Sequence, residues 1–481
     1  MTAPEPFMKV KSKIVVTVGP ACESADLLRQ LVLAGADVFR LNFAHGTHEW
    51  HTEAIRRIRA LSAELKRPLA VLQDLAGPKI RLGPVHGGAV QAAPDEMFTF
   101  AAGTPRDDPH WLTITCPEVL ADLAPGNRIL LADGTVSLEV TEKHADVAVC
   151  RVIQGGEIRS AGGVNLPGID LRLPSLTPKD LADLDWTAGH DVDFVGLSFV
   201  RRPEDVALLR DALRRRSSQA QIVAKIEKPE AVDHLDRIIA AADAVMVARG
   251  DLGVEIDLAR VPAVQKQIIH RCNQARVPAI VATQMLDSMR NANRPTRAET
   301  SDVANAVLDG ADCLMLSGET AIGRYPVESV ATMSRIAHEA ERLLDPRLAR
   351  FAPVSTTRVG HDSLTEAVVR AAAQVAQDVE ARLIVVATHT GETALALSKQ
   401  RNFAPTLAVS DLPQTVRRMC LYWGVTPLEA TELHDSPAML NQVIGWALDQ
   451  GAVHRGDRVV MVASTRWTAT RHNMVLVHEV E

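Results

Sequence analysis

Six apolar, strand-like runs in this chain stop on residues able to hold phosphates, cations or an enolate. Arg40 and Asn42 close one run, Gln73 and Asp74 the next, and the others end on Lys225 with Glu227, Arg249-Gly250-Asp251, Thr283-Gln284 and Ser317-Gly318-Glu319. Side chains two apart on a strand share a face, so Arg40 with Asn42 and Lys225 with Glu227 each present a pair in one direction. Glu227 and Asp251 together suit Mg²⁺, with Mn²⁺ as the alternative, because a small hard cation takes a couple of protein oxygens and leaves its other positions to water and substrate. Arg40 and Arg81 offer planar forks for phosphate oxygens. Gly250 admits close backbone approach, and a helical turn starting at Gly250-Asp251 would aim N–H groups at a small anion such as a carboxylate. Thr283 can donate or relay a proton through its hydroxyl. The plain structural alternatives are an ion pair for Lys225 and Glu227, surface ion pairs for the arginines and a helix cap for Thr283.

Scattered positions of this kind become one site only if the strands run parallel. In a barrel of parallel strands the C-terminal ends form the catalytic face, so polar residues collected there converge. Eight runs rich in Val, Ile, Leu and Ala begin near Ile14, Val38, Leu69, Phe194, Gln221, Ala244, Ala279 and Cys313, with amphipathic stretches between them. A βα unit occupies about 30 residues, yet 125 separate Leu69 from Phe194. A domain is therefore expected inside that interval.

The insert, 82–173, carries turn signals such as Pro125-Gly126-Asn127 and Asp133-Gly134 between β-rich runs, and is expected to be an all-β lid. After breaks between 345 and 359 a second α/β series follows, with a helix over 364–379 and strands at 383–387, 406–409 and near 459–462. The expected architecture is α/β: a (β/α)8 TIM barrel (1–81 and 174–345), the inserted lid (82–173) and a C-terminal α/β regulatory domain (360–481).

Composition narrows the function classes. The chain has 481 residues and a formal net charge of -7, which argues against nucleic acid as a partner. The arginines at 210, 214, 215 and 216 are expected to line the solvated side of a helix. The six cysteines form no CxxC pair or zinc-like spacing, no run of 18 apolar residues occurs, and the N-terminal stretch has no apolar signal core. A cytoplasmic protein with no membrane partner is the expectation. His45, His48 and His51 are spaced by three, but Gly46 interrupts any helix there and a metal cluster is not expected. No GxxxxGK[ST] loop is present, so a nucleotide would be held in another way. These residues alone leave open a Mg²⁺-dependent lyase or aldolase acting on pyruvate enolate.

Taken together, the segments at 13–20, 40–46, 77–81, 163–168, 225–227, 246–253, 282–289, 295–299 and 302–320 closely resemble the pyruvate kinase family. The likeness spans nearly the whole chain. It implies a glycolytic phosphotransferase that moves the phosphoryl group of phosphoenolpyruvate to ADP, giving pyruvate and ATP. By that resemblance Lys225 stabilises the transferring group with Arg40, Glu227 and Asp251 hold Mg²⁺, and Gly250, Asp251 and Thr283 contact substrate, Thr283 near the protonated carbon. Asn42, His45 and Arg81 fall to the nucleotide. A homotetramer is implied by the same analogy.

Several positions depart from the family pattern. Relatives that need K⁺ usually have Ser, Thr and Glu where this chain has Ala44, Leu75 and Lys79. Lys79 is expected to supply the charge of the monovalent ion, making K⁺ unnecessary; a unit charge at 4 Å is worth about 4 kcal/mol at an effective dielectric near 20. Ala161-Gly162 replace two commonly basic residues near the nucleotide, and Ala132 replaces an Asp. The loop with Thr388, Thr390, Gly391 and Thr393 resembles the family's site for sugar-phosphate effectors, but Glu392 would repel a phosphate, with Arg466 and Arg471 available to offset it. A weak response or none to fructose 1,6-bisphosphate is expected, with a sugar phosphate or a nucleotide monophosphate as effector. A regulatory homologue without turnover is the competing class.

Overall fold

The eight apolar runs become the strands Lys13–Thr17, Ala36–Asn42, Ala70–Asp74, Phe194–Leu197, Gln221–Ile226, Ala244–Ala248, Ala279–Ala282 and Cys313–Leu316 of one closed parallel barrel, in sequence order around the ring. The computed structural model describes residues 10–144, 146–169, 173–344, 363–402, 404–430, 436–463 and 472–481. The expected break at 345–359, the start of the C-terminal unit at 360, and Arg466 and Arg471 lie outside those residues.

Strand alternation decides what faces the barrel axis. Val15, Val38, Leu72, Val223, Met246, Ile280 and Met315 fill the interior, while Val16, Phe39, Val71, Ile222 and Val245, one residue away, pack among the surrounding helices. Two residues further along the inward-facing set come Thr17, Arg40, Asp74 and Lys225. The top layer of the barrel is thus polar by the same parity that makes the lower layers apolar.

Between the third and fourth strands lies the inserted β-structure. A six-stranded sheet runs in the order Val164–Asn165, Arg128–Leu131, Val136–His144, Val147–Gln154, Met97–Ala101 and Trp111–Thr113, beside a two-stranded ribbon of Ala89–Ala92 with Gly156–Arg159. Phe98, Phe100, Leu138 and Val152 form its separate core. The C-terminal sheet has five strands, ordered Val425–Glu429, Thr406–Ser410, Leu383–Ala387, Arg458–Ala463 and Met474–Glu479. Its two edge strands were not legible. Pro427 interrupts the first, which an edge tolerates, and the antiparallel Met474–Glu479 is too exposed to show alternation.

At the floor of the barrel one device is used four times. Asp37, Asp193, Asp243 and Asp312 stand at the starts of the second, fourth, sixth and eighth strands and accept from the backbone N–H of Ile14 (3.0 Å), Val71 (2.8 Å), Ile222 (2.8 Å) and Ala279 (2.7 Å). Each satisfies a donor that the start of the preceding strand leaves unpaired. Arg67 and Arg210, from the barrel unit, pair with Asp37 and Asp243. Arg417 reaches Asp193, and Lys399 with Arg401 reach Asp312, all three from the C-terminal unit. The C-terminal unit therefore docks on the face opposite the polar mouth. The arginine run is not simply solvated, because half-buried Arg210 also donates to Ala241 O, and Arg216 pairs with Asp185. Among the described residues no helix is long and apolar enough to cross a membrane.

Candidate active site

Inward parity brings four charges into one chain at the barrel mouth. Arg40 donates through Nε to Asp74 Oδ2 at 2.7 Å and through an Nη to the Thr17 hydroxyl at 3.0 Å. Lys225 Nζ lies 3.3 Å from Asp74 Oδ1 and 2.9 Å from Glu227 Oε1, and donates to the Ser198 hydroxyl at 2.7 Å. Glu227 Oε2 accepts from the Phe199 N–H at 2.7 Å. Phe199 adopts a left-handed φ of 56°, a conformation rare for a bulky residue. Gly77 abuts it, since a Cβ there would stand 3.0 Å from both Phe199 and Ser198 side chains.

Burial makes the protonation states of this chain a contest. It works to lower the Lys225 ammonium, but Asp74 and Glu227 outweigh it and push the group up, so Lys225 stays charged. Burial likewise works to raise the Asp74 carboxyl, and Lys225 with Arg40 overrides that to hold it below its ordinary value. For Glu227 burial wins. Its carboxyl is pushed up, Lys225 opposing the rise and the charge of Asp251 adding to it.

The next two strands supply the other wall. Helix Arg249–Glu255 starts directly after the sixth strand and places Gly250 and Asp251 in its first turn. The Gly250 N–H donates to the Thr283 hydroxyl at 2.7 Å, and that hydroxyl donates to Ala282 O at 2.6 Å. Thr283 and Gln284 both have positive φ, 67° and 52°, strain of about 1–3 kcal/mol per residue that the surroundings must hold in place. Buried Arg249 does so. It donates to the carbonyls of Thr283 (2.8 Å) and Gln284 (3.2 Å) while paired with Asp302 at 2.7 Å.

The two carboxylates proposed for a metal sense each other's charge, and Asp251 is one-third exposed with Lys79 Nζ 3.8 Å away. Among the described residues no group of three or more His, Cys, Asp or Glu side chains converges as a cage. Two carboxylates, Glu227 buried and Asp251 partly exposed, fit an octahedral Mg²⁺ that keeps most positions for substrate and water, and such an ion would offset the Asp251 charge that adds to the burial-driven rise of Glu227.

The remaining expected residues are less tightly gathered. Asn42 pairs in register with Asp74 and accepts from the Ala44 N–H at 3.1 Å. His45 is exposed, and its carbonyl oxygen accepts from His51 Nε2 at 3.0 Å. Arg81 stands at the root of the lid and donates to Ala161 O at 3.1 Å. His51 stacks on Phe43 at 3.9 Å, with burial lowering its pKa to about 4, and His48 meets Asp183 at 2.8 Å, so both serve packing beneath the 42–46 loop. Thr388, Thr390, Gly391 and Thr393 are not at this mouth. They follow the strand Leu383–Ala387, where Thr388 Oγ1 accepts from the Gly391 N–H (3.0 Å) and Thr393 Oγ1 lies 3.0 Å from His472 Nδ1.

Asp74, Ser198 and Arg249 were missed as site residues. Asp74 ended a noted run but lacked a partner in sequence; inward parity from Leu72 would have found it. Nothing local marks Ser198, whose partner lies 27 residues away, and Arg249 ends one of the runs but shows no sign of the partner 34 residues away.

Comparison with known proteins places this geometry. Residues 9–330 match the family described as pyruvate kinase, barrel domain, and 366–478 match pyruvate kinase, alpha/beta domain. The chain is 42% identical to a pyruvate kinase of Geobacillus stearothermophilus over 98% of its length and 80% of that protein's. It is 41% identical to one of Mycobacterium tuberculosis, covering 98% of this chain and 99% of the relative. A crystal structure of a pyruvate kinase from Cryptosporidium parvum superposes with a TM-score of 0.92 at 33% identity, covering 100% of this chain and 98% of that one.

Proposed function

The chain belongs to the pyruvate kinase family and is a phosphotransferase; from that premise we propose that Lys225, Arg40 and Thr283 carry transfer of the phosphoryl group of phosphoenolpyruvate to ADP, yielding pyruvate and ATP. The observation that carries this reading is the Lys225 ammonium, held in place by Asp74, Glu227 and Ser198 at the mouth of the barrel. A cation fixed before substrate arrives needs no reorganisation when charge develops on the moving group. Because its pKa is pushed up, Lys225 acts as a charge and not as the acid that protonates the enolate. That proton is delivered on the side of Thr283, whose hydroxyl is oriented by Gly250 and Ala282. Gly250, whose N–H is held by the Thr283 hydroxyl, lets the substrate carboxylate approach the first turn closely, and Asp251 offers its N–H there, while Asn42, His45 and Arg81 bind the nucleotide.

Glu227 and Asp251 would hold the Mg²⁺, or Mn²⁺, that neutralises phosphate charge when bound. A lactate dehydrogenase-coupled assay should show pyruvate formed only with ADP and a divalent ion present, and chelation should abolish the rate. Pyruvate released with ADP omitted would point to a lyase instead.

Lys79 is proposed as the monovalent-cation substitute. Its ammonium already faces Asp251, Leu75 is buried in the core, and Ala44 offers no side-chain oxygen. At 39% side-chain exposure its charge is screened well below the buried limit. Full activity is expected in tetramethylammonium chloride, and Lys79→Glu should create a KCl dependence of roughly tenfold, the equivalent of about 1.4 kcal/mol. A wild-type requirement for KCl would refute the assignment.

The same reading includes a cytoplasmic homotetramer, consistent with six free cysteines. It also includes a weak bisphosphate response at the 388–393 loop, where the Thr388 hydroxyl is already engaged and Glu392 begins the helix.

A further inference from the structure

Behind the two metal-binding candidates a further carboxylate, Glu255, joins three parts of the molecule. Its side chain is 2% exposed, and Oε1 takes both the Lys228 ammonium at 2.8 Å and the Asn165 side-chain amide at 3.0 Å. Asn165 belongs to the lid, in the strand Val164–Asn165 just before the chain returns to the barrel. Lys228 directly follows Glu227, and Glu255 ends the short helix whose first turn holds Gly250 and Asp251. Glu255 Oε2 is buried with no hydrogen-bond partner among the described residues.

We propose that Glu255 is a positioning residue that sets the angle of the lid over the active site, by holding Asn165 of the lid and Lys228 of the barrel on one oxygen. Hydrogen bonds to an ionised acceptor are roughly twice as strong as neutral ones, and leaving Oε2 unsatisfied has a desolvation cost that packing alone gives no reason to keep. Both connections of the lid meet here. Pro78, Lys79 and Ile80 on the way in and Leu166, Ile169 and Leu173 on the way out line a cavity of about 40 Å³ beside Glu255. On the same helix Val254 lies under Gly134 of the lid, 3.6 Å from where a Cβ would stand. Rotation of the lid is therefore passed to the segments carrying Asp251 and Glu227, the two carboxylates of the reaction proposed above, on which the functional part of this inference rests.

The test reads lid position first and catalysis second. Spin labels at Glu142→Cys in the lid and Asp211→Cys on the barrel, both well exposed, in a Cys116→Ser background, report the distance without any substrate. Glu255→Ala and Asn165→Ala should each broaden the distance distribution relative to the parent. Each should lower kcat/KM for ADP roughly tenfold, the loss expected for one charge-assisted hydrogen bond, with the KM for phosphoenolpyruvate unchanged. The double variant should be no worse than Glu255→Ala alone, and Glu255→Gln, which keeps an acceptor for Asn165, should recover much of the loss. Unaltered distance distributions, or additive losses in the double variant, would overturn the proposal. Should Glu255→Ala fail to fold, half-buried Asn165 still decides it. Absence of phosphoryl transfer in the parent would defeat the proposed function while leaving the distance result free to judge the clasp.

Discussion

Replacing Lys225 by methionine is expected to lower kcat about a thousandfold, the scale of removing one preorganised electrostatic contact, with little change in either KM. The ammonium touches three side chains in the resting site, so its loss also disturbs them, and the consequences can be followed. Asp74 keeps two contacts from Arg40. Among the described residues Glu227 keeps the Phe199 N–H as its one donor. With its carboxyl already pushed up and Lys225 the chief force opposing that rise, Glu227 in the variant should take up a proton. Divalent-ion affinity should then weaken and recover as pH rises. Lys225→Arg tests whether charge alone suffices: a planar fork cannot reproduce three contacts made by one compact nitrogen, so it too should be slow. Steady-state kinetics with a melting curve for each variant decides the matter. A kcat within tenfold of the parent for Lys225→Met would remove Lys225 from the mechanism.

What made this site legible beforehand was parity and termination. Arg40 and Lys225 sit at the ends of apolar runs, in step with Val38 and Val223, and a period of two needs no knowledge of partners. Spacing likewise exposed the inserted β-structure, because 125 residues cannot fit one βα unit. Harder to see was everything that depends on approach across the ring. Asp74 looks like any strand-end acid until Arg40 and Lys225 close on it from the second and fifth strands. Arg249 stands beside Gly250 and Asp251 but is buried in a pair with Asp302, from which it holds the left-handed Thr283. The floor acids were equally hidden: Asp37, Asp193, Asp243 and Asp312 occur in short apolar contexts that resemble strand starts, and only the register shows them reaching sideways to the preceding strand. In the C-terminal unit the central strands were clear and the edges were not, since an edge has only one neighbour to impose a pattern.

Removing the carboxylate of Asp312 should destabilise the protein by about 3–5 kcal/mol, the range for breaking one side of a buried ion pair. Asp312 is fully buried and Lys399, from the C-terminal unit, is 2% exposed, with 2.6 Å between them. Burial already lowers the Lys399 ammonium pKa, and Asp312 is the main influence opposing it. In Asp312→Ala the lysine is left buried without its neutralising partner, Arg401 loses its ion pair, and the Ala279 N–H loses its acceptor. Two further variants separate these contributions. Asp312→Asn keeps an acceptor for Ala279 and removes only the charge, so the difference from alanine reports the backbone bond, about 1–3 kcal/mol. Asp312→Leu with Lys399→Met replaces that buried pair by apolar bulk, which is often neutral, and should recover the part of the loss due to Lys399 while leaving the part due to Arg401 and the Ala279 N–H. Urea denaturation followed by far-UV circular dichroism gives the stabilities, and limited proteolysis reports release of the C-terminal unit from the barrel floor. A loss below about 1 kcal/mol in Asp312→Ala would place this pair with ordinary surface bridges and leave apolar contact, through Leu421 and Tyr422, as what holds the two units together.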